Sequence, residues 1–113
     1  MFEPPSNDEL AAMDKDIIAV DLDGTIIEYS GDRTWNPNEF GDIKPGAVNW
    51  LHDARELGKI IIIYTARDNQ QLVEDFLLMN KIPFDYVKSG KLYYHRLIDD
   101  RGERFESWDK VIL

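Results

Sequence analysis

The stretch Ile17-Ile18-Ala19-Val20-Asp21-Leu22-Asp23-Gly24-Thr25 decides the fold. Its first four residues are apolar and largely β-branched, which is typical of a strand buried on both faces in a parallel sheet. Asp21 and Asp23 would point to opposite faces if the strand continued. Gly24 breaks the strand and allows the chain to turn. The pattern therefore predicts two carboxylates around one pocket at the carboxyl end of a strand.

The rest of the chain alternates predicted helices and strands. Pro45 suits the first turn of a helix and Gly58 the position just past its end, and a second helix is expected over 69–79. Isoleucines within 59–64 predict another buried strand. Further predicted segments are an irregular hairpin loop over 24–44, short strands over 84–87 and 96–98, and a docked strand or edge over 107–113. The positions expected to face inward on the helices are Ala47, Trp50, Leu51, Ala54, Leu57, Leu72, Val73, Phe76 and Leu77.

Strands that alternate with helices through short connections predict an α/β fold. The expected architecture is a three-layer, Rossmann-like sandwich with a central parallel sheet and right-handed crossovers. The length of 113 residues suits one domain spanning 1–113. Within it, residues 1–15 are expected to form an arm or short helix, because Ser6 and Glu9 match a capping box.

Composition excludes several functional classes. The chain has no cysteine, which rules out a disulfide framework, a thiol nucleophile and a thiolate metal site. A net charge of −9 disfavours long nucleic acids, whose binding relies on Lys and Arg. No run is apolar enough for a membrane span, and the N-terminus does not resemble a signal peptide. We therefore expect a cytoplasmic protein with no membrane partner.

Polar residues lie where the predicted strands end, and ligands bind at that edge of a parallel sheet. One of the two early carboxylates could attack phosphorus, and the other could protonate the leaving oxygen and then activate water. Thr65 could donate its hydroxyl and backbone N–H to a phosphoryl oxygen at the start of a helix. Asp99 and Asp100 follow a later strand, and clustered carboxylates suit magnesium.

These segments resemble the motifs of the haloacid dehalogenase superfamily, in the family's order. Asp21-Leu22-Asp23-Gly24-Thr25 matches the first motif, and Ile61-Ile62-Ile63-Tyr64-Thr65-Ala66-Arg67 is similar to the second. Gly90-Lys91, followed by Leu97-Ile98-Asp99-Asp100-Arg101, resembles the third and fourth as they occur in small members. The resemblance covers most of the predicted domain.

The resemblance implies a role for each matching residue. Asp21 would be the nucleophile, Asp23 the acid/base and Thr65 the phosphate binder. Lys91 would be the catalytic cation, with Lys88 as the alternative. Asp100, with Asp99 beside it, would ligate magnesium, and the residues themselves add Asp21 and a backbone carbonyl near Asp23 to the expected ligand set. The expected substrate-binding residues are Gly24, Thr25, Ala66 and Arg67.

Segment 26–44 is too short for a folded cap domain, which in this family implies a capless member with an open site. Such a member acts on a large substrate or closes its site as a homo-oligomer. The implied activity is magnesium-dependent hydrolysis of a phosphomonoester through an aspartyl-phosphate, on a small phosphorylated metabolite, sugar or nucleotide. Two alternatives stay open, a nucleic-acid end phosphatase and a catalytically silent binding protein with the same fold. Arg67 itself fits substrate contact and a solvated helix start equally well.

Two other classes share parts of this pattern. An EF-hand calcium loop needs Gly at its sixth position and Glu at its twelfth, where this chain has Ile26 and Asp32. A receiver domain also combines acidic residues, Thr and Lys around an aspartyl-phosphate. Its acidic pair comes early in the chain, whereas Asp99 and Asp100 come late, so the order of the residues argues against it.

Overall fold

A computed structural model of the chain describes residues 5–28, 38–88, 96–99, 103, 104 and 106–113, with the backbone alone for 99, 103 and 104. Its sheet has five strands in the order β3-β2-β1-β4-β5, and all neighbouring strands pair in parallel. The strands are β1 (Ile17–Asp21), β2 (Ile60–Tyr64), β3 (Tyr86–Lys88), β4 (Arg96–Asp99) and β5 (Glu103–Arg104). The helices are α1 (Asn7–Ala12), α2 (Ala47–Glu56) and α3 (Gln70–Met79), followed by a 3₁₀ turn over Trp108–Lys110.

The sheet is buried on both faces, because its central strands carry apolar side chains in both directions. On one face, β1 and β2 pack against the buried sides of α2 and α3 in the larger core cluster. On the other face, Leu10 of α1 packs against Ile17 and Ile62. These layers confirm the predicted three-layer α/β sandwich with a parallel sheet. Among the described residues, no helix is both long and apolar enough to cross a membrane.

The capping box at the start of α1 is present as the sequence predicts. The Ser6 hydroxyl accepts a hydrogen bond from the backbone N–H of Glu9, and the Glu9 carboxylate accepts one from the backbone N–H of Ser6. The helix seats Leu10, which is fully buried, on the sheet. Residues 7–12 thus form a short helix that packs on the sheet.

Some predicted boundaries are wrong. Pro45 precedes α2 by two positions, because Gly46 takes the N-cap position in a left-handed conformation. Leu57 caps the other end of α2 and is 63% exposed, so it does not belong to the inward face. The strand expected over 84–87 is shifted to β3, and the tail folds as a 3₁₀ turn instead of a strand. Residues 29–37 of the predicted loop lie outside the described residues.

The C-terminal segment is fixed to the body of the domain by two tryptophans. The Trp108 indole N–H donates to the buried carbonyl of Thr25 at 3.0 Å, and the Trp50 indole N–H donates to the carbonyl of Val111 at 2.9 Å. The two indoles pack with their ring centroids 4.9 Å apart. The tail therefore contacts the loop that follows β1.

Gly46 and Gly58 form a matched pair for testing how closely the tail packs. Both have positive φ, +85° and +79°. A Cβ added to Gly46 would lie 3.2 Å from the Trp108 Cβ, whereas a Cβ added to Gly58 would have no neighbouring atom within 4 Å. Left-handed backbone costs an alanine about 1–2 kcal/mol at either position. Gly46→Ala should lower the free energy of unfolding further than Gly58→Ala. Equal losses in chemical denaturation would contradict the close packing of Trp108.

The indole hydrogen bonds offer a second test. Trp108→Phe removes a donor from a buried carbonyl and should cost about 1–3 kcal/mol. Trp50→Phe removes the same atoms at a partly buried bond, where water can replace the donor. We expect a lower melting temperature for Trp108→Phe than for Trp50→Phe, measured by calorimetry. The reverse order would show that the bond to Thr25 is not what fixes the tail.

Candidate active site

The parallel register brings Asp21, Asp99 and the alternative lysine Lys88 to one edge of the sheet. Asp21 pairs with Tyr64, and Tyr64 pairs with Lys88. Paired residues of neighbouring strands project to the same face, so these side chains form one row. On the other side of β1, Val20 pairs with Ile98, which places the backbone of Asp99 beside Asp21. The last residues of four strands thus meet at the edge where parallel sheets bind ligands.

The loop after β1 turns as the sequence predicts. The Leu22 carbonyl accepts hydrogen bonds from the backbone N–H groups of Ile26 and Ile27, each at 3.1 Å. Gly24 has φ +84°, and its N–H donates to the Ile27 carbonyl at 2.8 Å. This tight turn redirects the chain directly after Asp21, so that Asp23 no longer continues the strand.

The Asp23 carboxylate is held by Arg67. Arg67 Nε lies 3.0 Å from Asp23 Oδ2, and Arg67 Nη2 lies 2.7 Å from Asp23 Oδ1. The guanidinium therefore donates to both oxygens in a two-point geometry that only arginine can provide. The Arg67 side chain is 0% exposed and that of Asp23 is 13% exposed. Of the two readings left open for Arg67, the solvated helix start is wrong.

An aromatic pair supports the buried guanidinium. Phe40 lies against Arg67, with the guanidinium carbon 4.3 Å from the centroid of its ring. The other side of Phe40 stacks on Phe76 of α3, with centroids 4.1 Å apart and ring planes inclined by 9°. A cation over an aromatic face is stabilised further where water is excluded. The segment before α2 thus folds over the residue that holds Asp23.

Thr65 is 1% exposed and is already hydrogen bonded at two atoms. Its backbone N–H donates to the Lys88 carbonyl at 3.1 Å, and its hydroxyl oxygen accepts from the backbone N–H of Arg67 at 3.0 Å. The expectation that this N–H binds a phosphoryl oxygen is therefore wrong, because β3 uses it. Thr65 also does not start a helix, since α3 begins at Gln70. Its hydroxyl proton is the group that can still be donated to a ligand.

The other residues predicted to bind substrate differ in accessibility. Ala66 is exposed between the buried Thr65 and Arg67, and Gly24 is partly buried. Thr25 is 2% exposed, and its carbonyl accepts from Trp108. Ala66 and Gly24 therefore lie at the accessible surface of the edge, whereas Thr25 packs beneath it.

The structure describes one of the two candidate catalytic lysines, Lys88. Lys88 Nζ donates to the Asn7 side-chain oxygen of α1 at 3.0 Å. Its side chain shares the row of Asp21, two strand spacings away, which is about 10 Å. Lys91 lies outside the described residues, so its assignment stays a prediction.

Magnesium prefers oxygen ligands and commonly binds through one or two carboxylates. Asp21 and the backbone of Asp99 occupy neighbouring strand ends, as such a site requires. Asp100 and the Asp99 side chain lie outside the described residues. Among the side chains that are described, no three His, Cys, Asp or Glu residues form a metal-binding group. The Asp23 carboxylate is paired with Arg67. We therefore expect Asp23 to contribute to metal binding through its backbone carbonyl.

Two residues at this site, and a third in α3, have positions that were not identified from the sequence. Phe40 and Trp108 reach it through long-range packing that no local pattern specifies. Glu74 of α3 is 1% exposed; its Oε1 accepts from Gln70 at 3.4 Å, and its Oε2 has no hydrogen-bond partner. Its position next to Val73 on the inner side of the helix was the signal that could have marked it as buried.

Comparison with known proteins supports the fold. No protein-family model matches the chain, and no curated protein matches it. A solved structure of a conserved protein from Bacteroides thetaiotaomicron is 25% identical over 85% of each chain, with a TM-score of 0.67. A protein from Vibrio cholerae is 21% identical over 84% of this chain and 85% of its own, with a TM-score of 0.57.

A chain of the Pnkp1/Rnl/Hen1 complex is also similar. It is 23% identical and has a TM-score of 0.57, over 75% of this chain but only 31% of its own length. At this level of identity, the similarity to the chain of that complex and to the Vibrio protein shows the shared fold alone. All three structures are consistent with the parallel α/β architecture described above.

The buried hydroxyl of Thr65 provides a test that does not depend on activity. Thr65→Val keeps the shape but leaves the buried N–H of Arg67 unpaired, which should cost about 1–3 kcal/mol. Thr65→Ser keeps the acceptor and should cost less. Both can be compared with the parent chain by urea denaturation. A Ser variant as unstable as the Val variant would mean that the methyl group, and not the hydrogen bond, stabilises this turn.

Proposed function

We propose that this protein is a magnesium-dependent phosphomonoester hydrolase that uses Asp21 as its nucleophile. The observation that carries the proposal is the meeting of Asp21, the Asp23–Arg67 pair and Thr65 at the carboxyl edge of a parallel sheet. The order of these residues along the chain resembles that of the haloacid dehalogenase superfamily. The fold that this resemblance implies agrees with the architecture observed.

Each residue has a separate task in the proposed reaction. An Asp21 oxygen attacks phosphorus and forms an aspartyl-phosphate, while the bond to the leaving oxygen breaks and Asp23 supplies the proton to that oxygen. Water then attacks phosphorus, Asp23 takes up its proton, and phosphate leaves as Asp21 is regenerated. Asp23 must therefore enter the first step protonated, with its proton on a lone pair that Arg67 does not use, and the proton taken from water in the second step restores that form. The Thr65 hydroxyl can donate to a phosphoryl oxygen.

Magnesium would be held by Asp21 and by the Asp99–Asp100 segment. When bound, it neutralises charge on the phosphoryl group and on the clustered carboxylates. The catalytic lysine in this proposal is Lys91. The Lys88 ammonium is less suitable because it is hydrogen bonded to Asn7.

The substrate class proposed first is a small phosphorylated metabolite, sugar or nucleotide. The net charge of −9 disfavours a polyanion, which would be repelled over most of the surface. A nucleic-acid end phosphatase remains the second candidate, since it would use the same residues on a terminal phosphate.

The decisive experiment measures phosphate release from an aryl phosphate, sugar phosphates, nucleotides and short phosphorylated oligonucleotides. Each substrate is assayed with magnesium, with chelator and with Asp21→Asn, whose shape matches that of the parent. We expect turnover that requires magnesium and is lost in the variant, because the amide is a far weaker nucleophile. Glu106→Gln, at an exposed ion pair with Lys110, serves as the control and should retain full activity.

The results distinguish the alternatives directly. Preference for oligonucleotide ends, with release that falls steeply as salt is raised, would select the nucleic-acid reading. Turnover retained in Asp21→Asn would overturn the nucleophile. A folded protein that binds magnesium but releases no phosphate from any substrate would instead indicate a catalytically silent binding protein.

A further inference from the structure

We infer that Arg67 is a positioning residue for Asp23 and that it does not bind substrate. The inference rests on the proposed function, because it concerns how the proposed acid/base is held. Two donors of one guanidinium bind the two oxygens of one carboxylate, at 3.0 Å and 2.7 Å. Two parallel bonds fix the direction of the carboxylate plane as well as its place.

The contacts of the guanidinium argue against the alternative role, since two of its donors are already bound to Asp23. The Arg67 side chain is 0% exposed, and the Asp23 side chain retains 13% exposure. A phosphate arriving from solvent can therefore reach the carboxylate without touching the guanidinium. A buried arginine whose fork is directed at a carboxylate acts through that carboxylate.

Several contacts fix Arg67 in turn. Its backbone N–H donates to Thr65, and its guanidinium lies on Phe40, which is stacked on Phe76 of α3. Because both faces of Phe40 are occupied, the ring cannot also stack on a substrate base. The described residues 38–44 thus support Arg67 and, through it, the acid/base, and we assign Phe40 to this role in place of substrate recognition.

A positioning role should be visible in how strongly the loss of kcat depends on the leaving group. General acid catalysis contributes about 10²–10⁴-fold and matters most when the leaving oxygen is strongly basic. Arg67→Lys keeps the charge but loses the two-point geometry. We expect it to lower kcat for an alkyl phosphate about 100-fold, as a small misplacement of a reacting group does. An aryl phosphate with an acidic phenol should lose much less, and KM should change little for either substrate.

A double-mutant cycle identifies the residue through which Arg67 acts. On the alkyl phosphate, where Arg67→Lys alone should cost about 100-fold, it should have little further effect in an Asp23→Asn background. Arg55→Lys is the matched control, because Arg55 is exposed and donates to the Phe84 carbonyl away from the site. Its kinetics should equal those of the parent. If Arg67→Lys does not fold, Phe40→Leu removes only the supporting ring. It should also lower kcat more for the alkyl phosphate than for the aryl phosphate, but by a smaller factor than Arg67→Lys.

The outcomes separate this inference from the proposed function. If the parent protein is active and Arg67→Lys loses the same factor on both phosphates, or still loses activity when Asp23 is absent, the positioning role is overturned alone. A change confined to KM would return Arg67 to substrate binding. If the parent releases phosphate from neither substrate, the proposed function fails and the positioning role fails with it.

Discussion

The ion pair between Asp23 and Arg67 is the interaction on which the rest of the site depends. Removing one partner of a buried pair typically costs about 3–5 kcal/mol, because a charge is left without compensation. The guanidinium is fully buried, so neither partner can be changed without consequences for the other. The pair also connects the loop after β1 to the loop after β2. Two loops that are distant in sequence thereby become one rigid unit at the carboxyl edge of the sheet.

This unit explains what the segment between β1 and α2 contributes. Ile27 and Ile43 form an antiparallel bridge, which draws the end of the segment back to the loop after β1. Phe40 then covers Arg67 and stacks on α3. The described part of the segment thus packs on the carboxyl edge of the sheet and excludes water from the guanidinium. In a water-poor environment the charge-assisted hydrogen bonds are stronger, which favours a fixed carboxylate.

The C-terminal turn also fixes the loop after β1. Trp108 occupies the space left by the missing side chain of Gly46 and donates to the carbonyl of Thr25. Thr25 follows Asp21 and Asp23 in the same loop, so the tail restrains the loop through its backbone. Parallel strands set where the site lies, and the two loop segments and the tail determine how firmly its side chains are held.

The sequence by itself determined the order of strands and helices from α1 to β4, because apolar runs and helical periodicity are local signals that burial reinforces. It also determined that Asp21, Asp23 and Thr65 follow strands, and hence that they lie at one edge. Only the tertiary structure decided which atoms they contact. The N–H of Thr65 is used by β3, the Arg67 side chain turns inward to Asp23, and Phe40 and Trp108 close around them. These contacts join residues far apart in the chain. They are determined by how side chains from separate elements pack together, which no local pattern encodes.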